Sequence, residues 1–516
     1  MIKNPPVEFS AEDDCKPTVP NFFGTVSKFN KEEIMTEQEK LDRERRLDEV
    51  EAKLGRGARD AISDHLRIVD ERFYYWLADL YLPRKCICGK FDKDGLPVCL
   101  HPKDENGNDI CRGGGFYYCN SARDTDGYEI DVESTAQAIN FPSASGMLTD
   151  VPGGMPSVLP PRIKRDMSEF AKGLQSSDDG YFYHRQWGKN ISLSRRGRDL
   201  SWATGLISSY GDGVPLYDTA SGKKGSLGAP SAGTPEREEK TERETFAAWP
   251  EHIATVSAFR EYLGSFDLLT KSYPAANTLA AQATQIKSRD AEGIKNGEFH
   301  DLDGDGIAED GLIAAFAEHF RNHQKENGVW EEEVTYRSVN GLMKIALSYN
   351  TYGIPFPRIE AAFDAAVKIA LLDADTPDAN GSFASGSVYV YNPWVSISSI
   401  LSYAKKFGEA GLYERLYGRL RDNAEALIRA TTKKNIKFKK EDGSFGYTWS
   451  YPPAHSQGAP VCPNGIVEGD VNGGTIAIRG VFGNMCSALG VSIPIFYRSD
   501  LDKFISRLES KYSGVD

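Results

Sequence analysis

The chain of 516 residues is 40 % hydrophobic and 26 % charged, the balance of a globular protein with room for one large fold or two to three ordinary domains. Its 74 acidic against 61 basic residues give a net charge of −13, the wrong sign for a generic nucleic-acid or anionic-membrane surface. No apolar run is long enough to cross a membrane, and no basic stretch followed by an apolar one opens the chain. The expectation is a chain with neither nucleic-acid nor membrane partners, cytoplasmic, or else secreted or periplasmic with a leader already removed.

Residues 1–30 are rich in Pro and Asp and read as an extended arm, and Lys31–Leu54 as a charged surface helix with few apolar positions. These pieces are expected to form an N-terminal segment, 1–57, ahead of a catalytic domain over 58–516. Ala61, Ile62, Leu66, Val69, Phe73, Trp76 and Leu80 recur at helical spacing and predict a buried helix over 58–82. Residues 83–120 carry Gly, Pro, Asn and Asp throughout and read as loop. Five of the eight cysteines lie there, Cys86, Cys88, Cys99, Cys111 and Cys119, with His101 among them. The Cys-x-Cys start and the Cys99-x-His101 pair could ligate zinc, which takes about four thiolate or imidazole ligands. No Cys-x2-Cys pair occurs, and a disulfide-pinned loop or free thiols are the alternatives.

A unit then recurs: a Gly-aromatic turn, a polar loop, and a helix. It appears at Gly115-Phe116, Gly180-Tyr181-Phe182, Gly328-Val329-Trp330, Gly381-Ser382-Phe383 and Gly443-Ser444-Phe445, with a sixth candidate at Gly297-Glu298-Phe299. The helices these units feed are expected from Leu200, Asn340, Trp394 and Thr475. Further helical patterns cover 163–174, 246–266, 269–286, 311–323, 356–372 and 408–430. A short period-2 piece, Ser387–Tyr391, reads as strand. Helix pairs that cannot bury their apolar faces alone must stack on their neighbours. The predicted fold is therefore all-α, an (α/α)6–7 toroid or barrel of helix hairpins with minor β content. The Gly/Ser/Pro-rich segment 216–245 reads as a mobile insertion, since the helix pattern resumes unchanged after it.

Chemistry is expected at helix N-termini, where unpaired N–H groups and partial positive charge favour anions. In the stretch Asn327–Gly353, Tyr336, Arg337, Ser338 and Asn340 cluster at such a start, with Trp330 in the turn before it. The segment 179–202 holds the densest positive charge of the chain, Arg185, Lys189, Arg195, Arg196 and Arg198, interleaved with Tyr181, Tyr183, His184 and Trp187. Arginine forks pair with carboxylates and flat aromatic faces stack on sugar rings. The bland alternative is a solvated loop whose arginines pair with the protein's own carboxylates. His455 lies in a Pro/Ser loop within reach of the same end. Asp301, Asp303 and Asp305, followed by Gly306, alternate as calcium ligands do, with Glu309 or Asp310 closing the shell. The alternative there is a turn that only caps the helix over 311–323. Paired carboxylates for glycoside hydrolysis are also on offer among Glu331–Glu333, Glu468 with Asp470, and Asp131 with Glu133.

The Gly-aromatic turns feeding helices resemble the α/α-toroid enzymes, and Asp179-Gly180-Tyr181-Phe182-Tyr183-His184 resembles the Asp-Gly-x-Phe-x-(Gln)-His loop of toroid polysaccharide lyases. That group includes chondroitin/hyaluronan (glycosaminoglycan), alginate and glucuronan lyases. The chain ends in helix rather than a β-sandwich and lacks the Asn-Trp motif of the chondroitin type, so the alginate- or glucuronan-lyase type fits better. The resemblance implies β-elimination on an acidic polysaccharide or oligosaccharide: Tyr336 as acid/base, His184 as its partner or the alternative base, and Arg198, Arg337 and Asn340 neutralising the uronate carboxylate. Arg195, Arg196, Tyr183, Trp187, Trp330 and His455 would bind the sugar chain. The chemistry needs nearby arginines to lower the tyrosine's pKa. A glycoside hydrolase and a non-catalytic carbohydrate-binding protein are the competing expectations.

Overall fold

The computed structural model describes residues 35–149, 151–211, 213–217 and 249–514. The expected arm over 1–30 and most of the expected insertion over 216–245 lie outside them. Helices α1 (Glu37–Leu54), α2 (Arg56–Arg67) and α3 (Arg72–Asp79) come first, then α4 (Val132–Ser145), α5 (Pro161–Gly173) and α6 (Leu193–Tyr210). Next are α7 (Val256–Gly264), α8 (Ser272–Asn296), α9 (Leu312–His323), α10 (Tyr336–Tyr352), α11 (Ile359–Leu371) and α12 (Ser387–Phe407). The C-terminal part holds α13 (Leu412–Asp422), α14 (Ala424–Asn435), α15 (Val471–Gly474), α16 (Val481–Leu489) and α17 (Arg498–Ser510). A π-helical turn, Thr475–Gly480, joins α15 to α16. Strand among the described residues is limited to two short ladders, Tyr81–Leu82 with Gly115–Phe116 and His455–Ser456 with Ala459–Pro460, plus isolated bridges. The protein is all-α with minor β content.

Six helical stretches pack in a row once α15, the π-turn and α16 are taken as one continuous stretch: α6 on α4, α4 on that stretch, that stretch on α12, α12 on α10, and α10 on α8. The other helices flank this row: α5 on α6, α9 on α8, and α11, α13 and α14 on α12. Five of the six Gly-aromatic turns lead into members of the row, α4, α6, α10, α12 and α15. The sixth, Gly297-Glu298-Phe299, leads instead to the flanking helix α9. Glycine is required at Gly328, where φ is +85° and an added Cβ would fall 2.2 Å from the Ala361 backbone.

Four helices of the row start at a side-chain cap that satisfies a first-turn N–H group. Asp131 accepts from Ser134, Ser192 from Arg195, and Asp470 from Gly473, while Thr335 and Ser338 form a capping box on α10. Glu331 plays this part for α8 from outside, taking the Ser272 N–H at 3.2 Å and its hydroxyl at 2.6 Å.

Three expectations change. Ser387–Tyr391 is the first turn of α12, not strand, so the alternation of Val and Tyr there sets a half-buried helix face. Helix α6 begins at Leu193 rather than Leu200, which places Arg195, Arg196 and Arg198 on its first two turns. The expected N-terminal segment is also not separate: Leu47 and Val50 of α1 belong to the same apolar core as Phe504 and Leu508 of α17. Arg43 bonds the carbonyls of Pro494 and Ile495, and Ser499 bonds Glu39.

Candidate functional site

Side chains at the starts of the row's helices reach across to one another. Asn392 Nδ2 on α12 donates to Asn340 Oδ1 on α10 at 2.7 Å, and the Tyr336 and Tyr389 rings lie 5.4 Å apart. Gln137 on α4 meets Asn472 and Thr475, each at 3.4 Å. The Tyr447 N–H donates to the Asp470 cap at 2.6 Å, and the Tyr447 carbonyl takes the Ser387 N–H at 2.8 Å. Gly473 permits this approach, because a Cβ there would sit 2.0 Å from Tyr447 N. One loop, two helix starts and one tyrosine are thereby fixed together.

Beside this group, Arg198 of α6 acts electrostatically on Tyr273 of α8, Lys344 of α10 and Tyr447 of the 443–447 turn, and Tyr389 of α12 acts on both of those tyrosines. Burial lowers the Lys344 ammonium below its ordinary pKa, and Arg198 adds to the effect. Burial, then Tyr273, Tyr389 and Asp470, push the Tyr447 hydroxyl up, while Arg198 pulls it down. Tyr273 and Tyr389 are likewise raised by burial, with Arg198 and Arg337 opposing. Lys344 and Arg479 are half-buried, and no carboxylate pairs with either among the described residues. Asn340 uses its carbonyl oxygen on Asn392, which leaves its amide donors available.

The expected residues divide sharply. Arg195 is fully buried and pairs with Asp131 at 3.1 Å, Glu133 at 3.3 Å and Asp199 at 2.9 Å, while stacking over the Trp187 ring. It is a structural hub and not a sugar contact. Trp187 donates to the Pro460 carbonyl at 2.9 Å, and Trp330 is a core residue donating to the Phe320 carbonyl at 2.8 Å. Arg196 stacks on Tyr181, Arg185 pairs with Glu129, and Tyr183 donates to Asp179 at 3.0 Å. Arg198 binds Glu133 but stays 38 % exposed. His184 is 2 % exposed beside Trp187, held neutral by burial and by Arg195, with Asp199 Oδ2 3.8 Å from its Nε2, beyond hydrogen-bond range. His455 is exposed at the ladder end and Arg337 is exposed on α10.

Tyr336 differs from the expectation in its electrostatics. It is 1 % exposed, its hydroxyl has no partner, and burial with Asp378 and Asp373 pushes its pKa up rather than down. The arginines expected to lower it are paired elsewhere or point to solvent.

A separate cavity of about 1040 Å³ lies between the cysteine segment and the 176–189 loop, lined by Arg84, His101, Asp109, Tyr183, His184 and Arg185 among others. Its cations already have partners: Arg84 with Asp109 at 2.6 Å, Arg112 with Glu129 at 3.1 Å, Lys189 with Asp178 at 3.0 Å. An anionic ligand gains more where cations lack counter-charge, so the cluster around Lys344 is the stronger candidate.

The carboxylates considered for hydrolysis are committed. Asp131 and Asp470 are caps, Glu331 holds Ser272, Glu468 accepts the Ser121 N–H, and Glu133 is clasped by Arg195 and Arg198. At the acidic turn, carboxylate oxygens of Asp301, Asp303 and Asp305 come within 4.8 Å of one another. Asp301 there accepts the Gly304 and Gly306 N–H groups at 2.8 and 2.9 Å. Glu309 and Asp310 do not close that shell: Glu309 takes the Leu302 N–H at 2.8 Å and Asp310 pairs with His300 at 2.7 Å. Nor does the turn cap α9, since Asp290 of α8 accepts the Leu312 and Ile313 N–H groups.

Tyr273, Lys344, Tyr389, Tyr447 and Arg479 were not singled out from the sequence. The legible signal was a single cation inside an apolar helical run, Lys344 in LMKIAL and Arg479 in TIAIRGVF. Such a residue either snorkels or serves a polar site. The π-turn that carries Arg479 is a second such sign, because π-bulges concentrate at functional positions. Compared with family models, with curated proteins and with solved structures, the chain matches none.

Proposed function

We propose that the protein is a lyase that cleaves a uronate-containing polysaccharide by β-elimination, at the N-terminal ends of the row of helices. The observation carrying this reading is the grouping of Arg198, Lys344, Asn340 and three tyrosines, in which Lys344 has no counter-charge among the described residues of an acidic protein. In the same reading the row closes into a ring between α6 and α8, an α/α toroid. Its support is that Arg198 on α6 acts on Tyr273 in the first turn of α8 and on Lys344 of α10.

Elimination needs the C5 proton removed, the carboxylate-stabilised carbanion held, and O4 protonated as it leaves. Arg198 and the free amide donors of Asn340 suit the carboxylate. Lys344, whose ammonium is destabilised by burial and Arg198, suits the base, because its neutral amine is reached at lower pH than for an exposed lysine. Tyr447 is kept protonated by its raised pKa and suits the acid. These roles replace Tyr336 and His184, whose functional atoms are enclosed. Hydrolysis draws less support, since the carboxylates it would use already serve as caps or ion-pair partners. The test is a screen of alginate, glucuronan and glycosaminoglycans for products carrying the ultraviolet-absorbing C4–C5 double bond. New reducing ends without that chromophore would reject elimination, and binding without turnover would reject an enzyme.

A further inference from the structure

The segment Lys85–Arg112 has almost no core of its own. Among its residues only Cys111 is buried, and Ile87, Phe91, Leu100 and Ile110 stand 59, 66, 55 and 40 % exposed. A stretch of this kind holds a defined shape only with a cross-link or a metal in place of apolar burial.

Four sulfurs converge at its centre. Ligand atoms of Cys86, Cys88, Cys99 and Cys111 all lie within 4.8 Å of one another, and Cys111 Sγ is 3.8 Å from both Cys86 Sγ and Cys88 Sγ. A tetrahedron with zinc–sulfur bonds of about 2.3 Å has sulfur–sulfur edges of about 3.8 Å. One sulfur equidistant from two others does not sort into disulfide pairs. Backbone amides close in on each sulfur: Cys88 N–H on Cys86, Leu100 N–H on Cys88 at 3.4 Å, His101 N–H on Cys99, and Ile87 N–H on Cys111. Arg84 Nη2 adds a charged donor 3.2 Å from Cys99 Sγ.

The chain builds two of the four ligands by repeating one device. Asp92-Lys-Asp-Gly-Leu-Pro-Val-Cys99 and Asp104-Glu-Asn-Gly-Asn-Asp-Ile-Cys111 share Asp, Gly and Cys at identical spacing. In both, the Asp carboxylate accepts the N–H groups two and four residues on, at 2.9 Å each, and the Gly N–H returns to the Asp carbonyl. Antiparallel bridges Phe91–Pro97 and Lys103–Asp109 follow at equivalent positions. Each turn delivers its cysteine to the same point.

We infer that Cys86, Cys88, Cys99 and Cys111 bind one zinc ion as a structural tetrathiolate site. Four thiolates fill the tetrahedron, so the ion has no open position for substrate. His101 is a supporting residue: its Nδ1 faces Asp109 at 3.4 Å, its Nε2 faces Glu169 of α5 at 3.1 Å, and its ring also hydrogen-bonds the Cys99 sulfur. The assignment is independent of the lyase reading.

The test uses the wild-type chain, purified without metal-affinity resin. Elemental analysis should find about one zinc per chain, and X-ray absorption should find four sulfur neighbours at about 2.3 Å. Cys99→Ser and Cys111→Ser should each lose most of the zinc, whereas Cys119→Ser keeps it. A shell containing nitrogen would overturn the ligand set, and iron in place of zinc would overturn the metal. Metal-free protein would overturn the site itself, whether peptide mapping found these four cysteines in disulfides or as free alkylatable thiols.

Discussion

Two groups of cations in this molecule look alike by charge and differ in what surrounds them. The 185–198 stretch is the most basic part of the sequence, yet Arg195 faces three carboxylates, Arg185 faces Glu129, and Lys189 faces Asp178. Lys344 and Arg479 are single cations within apolar helices, with no carboxylate at hand among the described residues. Charge offered to a ligand is what remains after the protein's own ion pairs are formed. By that measure Arg185, Lys189 and Arg195 hold the fold, Lys344 and Arg479 are open to an anion, and Arg198, paired with Glu133 yet 38 % exposed, stands between the two groups.

Substitutions at the two groups should therefore fail differently. Arg195→Met leaves Asp131, Glu133 and Asp199 buried around an uncharged side chain, and unfolding free energy should fall by about 3–5 kcal/mol in urea titration. A smaller loss would mean that protonation of Asp131 or Asp199, together with the Arg198 pair on Glu133, relieves the charge left behind. Lys344→Met should leave stability unchanged or improved, because it removes a half-buried charge, while kcat falls about 10²-fold or more. Lys344→Arg sharpens the role: arginine keeps the charge but does not release a proton, so activity returns only if Lys344 serves as a cation rather than a base.

Much of the fold was readable before the structure. The Gly-aromatic turns mark five of the row's helix starts, whereas the capping roles of Asp131, Thr335 and Asp470 emerge only in the structure. The site was less readable. Tyr336 opens α10, the helix that carries Lys344, and His184 lines the separate cavity, but whether either side chain is enclosed or open depends on tertiary neighbours, here Tyr389 for one and Trp187 for the other. Tyr447 was hidden for another reason: it reaches the site through a turn pinned against Gly473.

The tyrosines give a finer comparison. Tyr336→Phe deletes a buried hydroxyl that has no partner, so stability should shift by less than about 1 kcal/mol and turnover should persist. Tyr447→Phe should cut kcat by about 10²-fold with the fold intact. Equal losses in both variants would remove the distinction between the enclosed and the open ring.

Acid should destabilise the protein through its enclosed histidines. His65 is fully buried against Thr432 and pulled down to about 4 by burial, and His184 is held below its ordinary value as well. The unfolded chain then binds protons that the folded chain refuses. Their stabilisation is complete above the unfolded histidine pKa and is lost as pH falls from about 6.5 towards 4, on the order of 3 kcal/mol for His65. Urea midpoints at pH 7 and pH 4.5 read this, and His65→Asn should flatten part of the slope.

The most direct measurement follows ultraviolet absorbance while the wild-type protein and Lys344→Met are each mixed with a uronate polymer and with the same polymer after its carboxyl groups have been reduced to alcohols. A lyase that needs the uronate carboxylate and uses Lys344 as its base should give the unsaturated chromophore with wild type on the charged polymer alone, and lose most of that rate in Lys344→Met. Equal turnover of the charged and reduced polymers, or an unimpaired Lys344→Met, would contradict it.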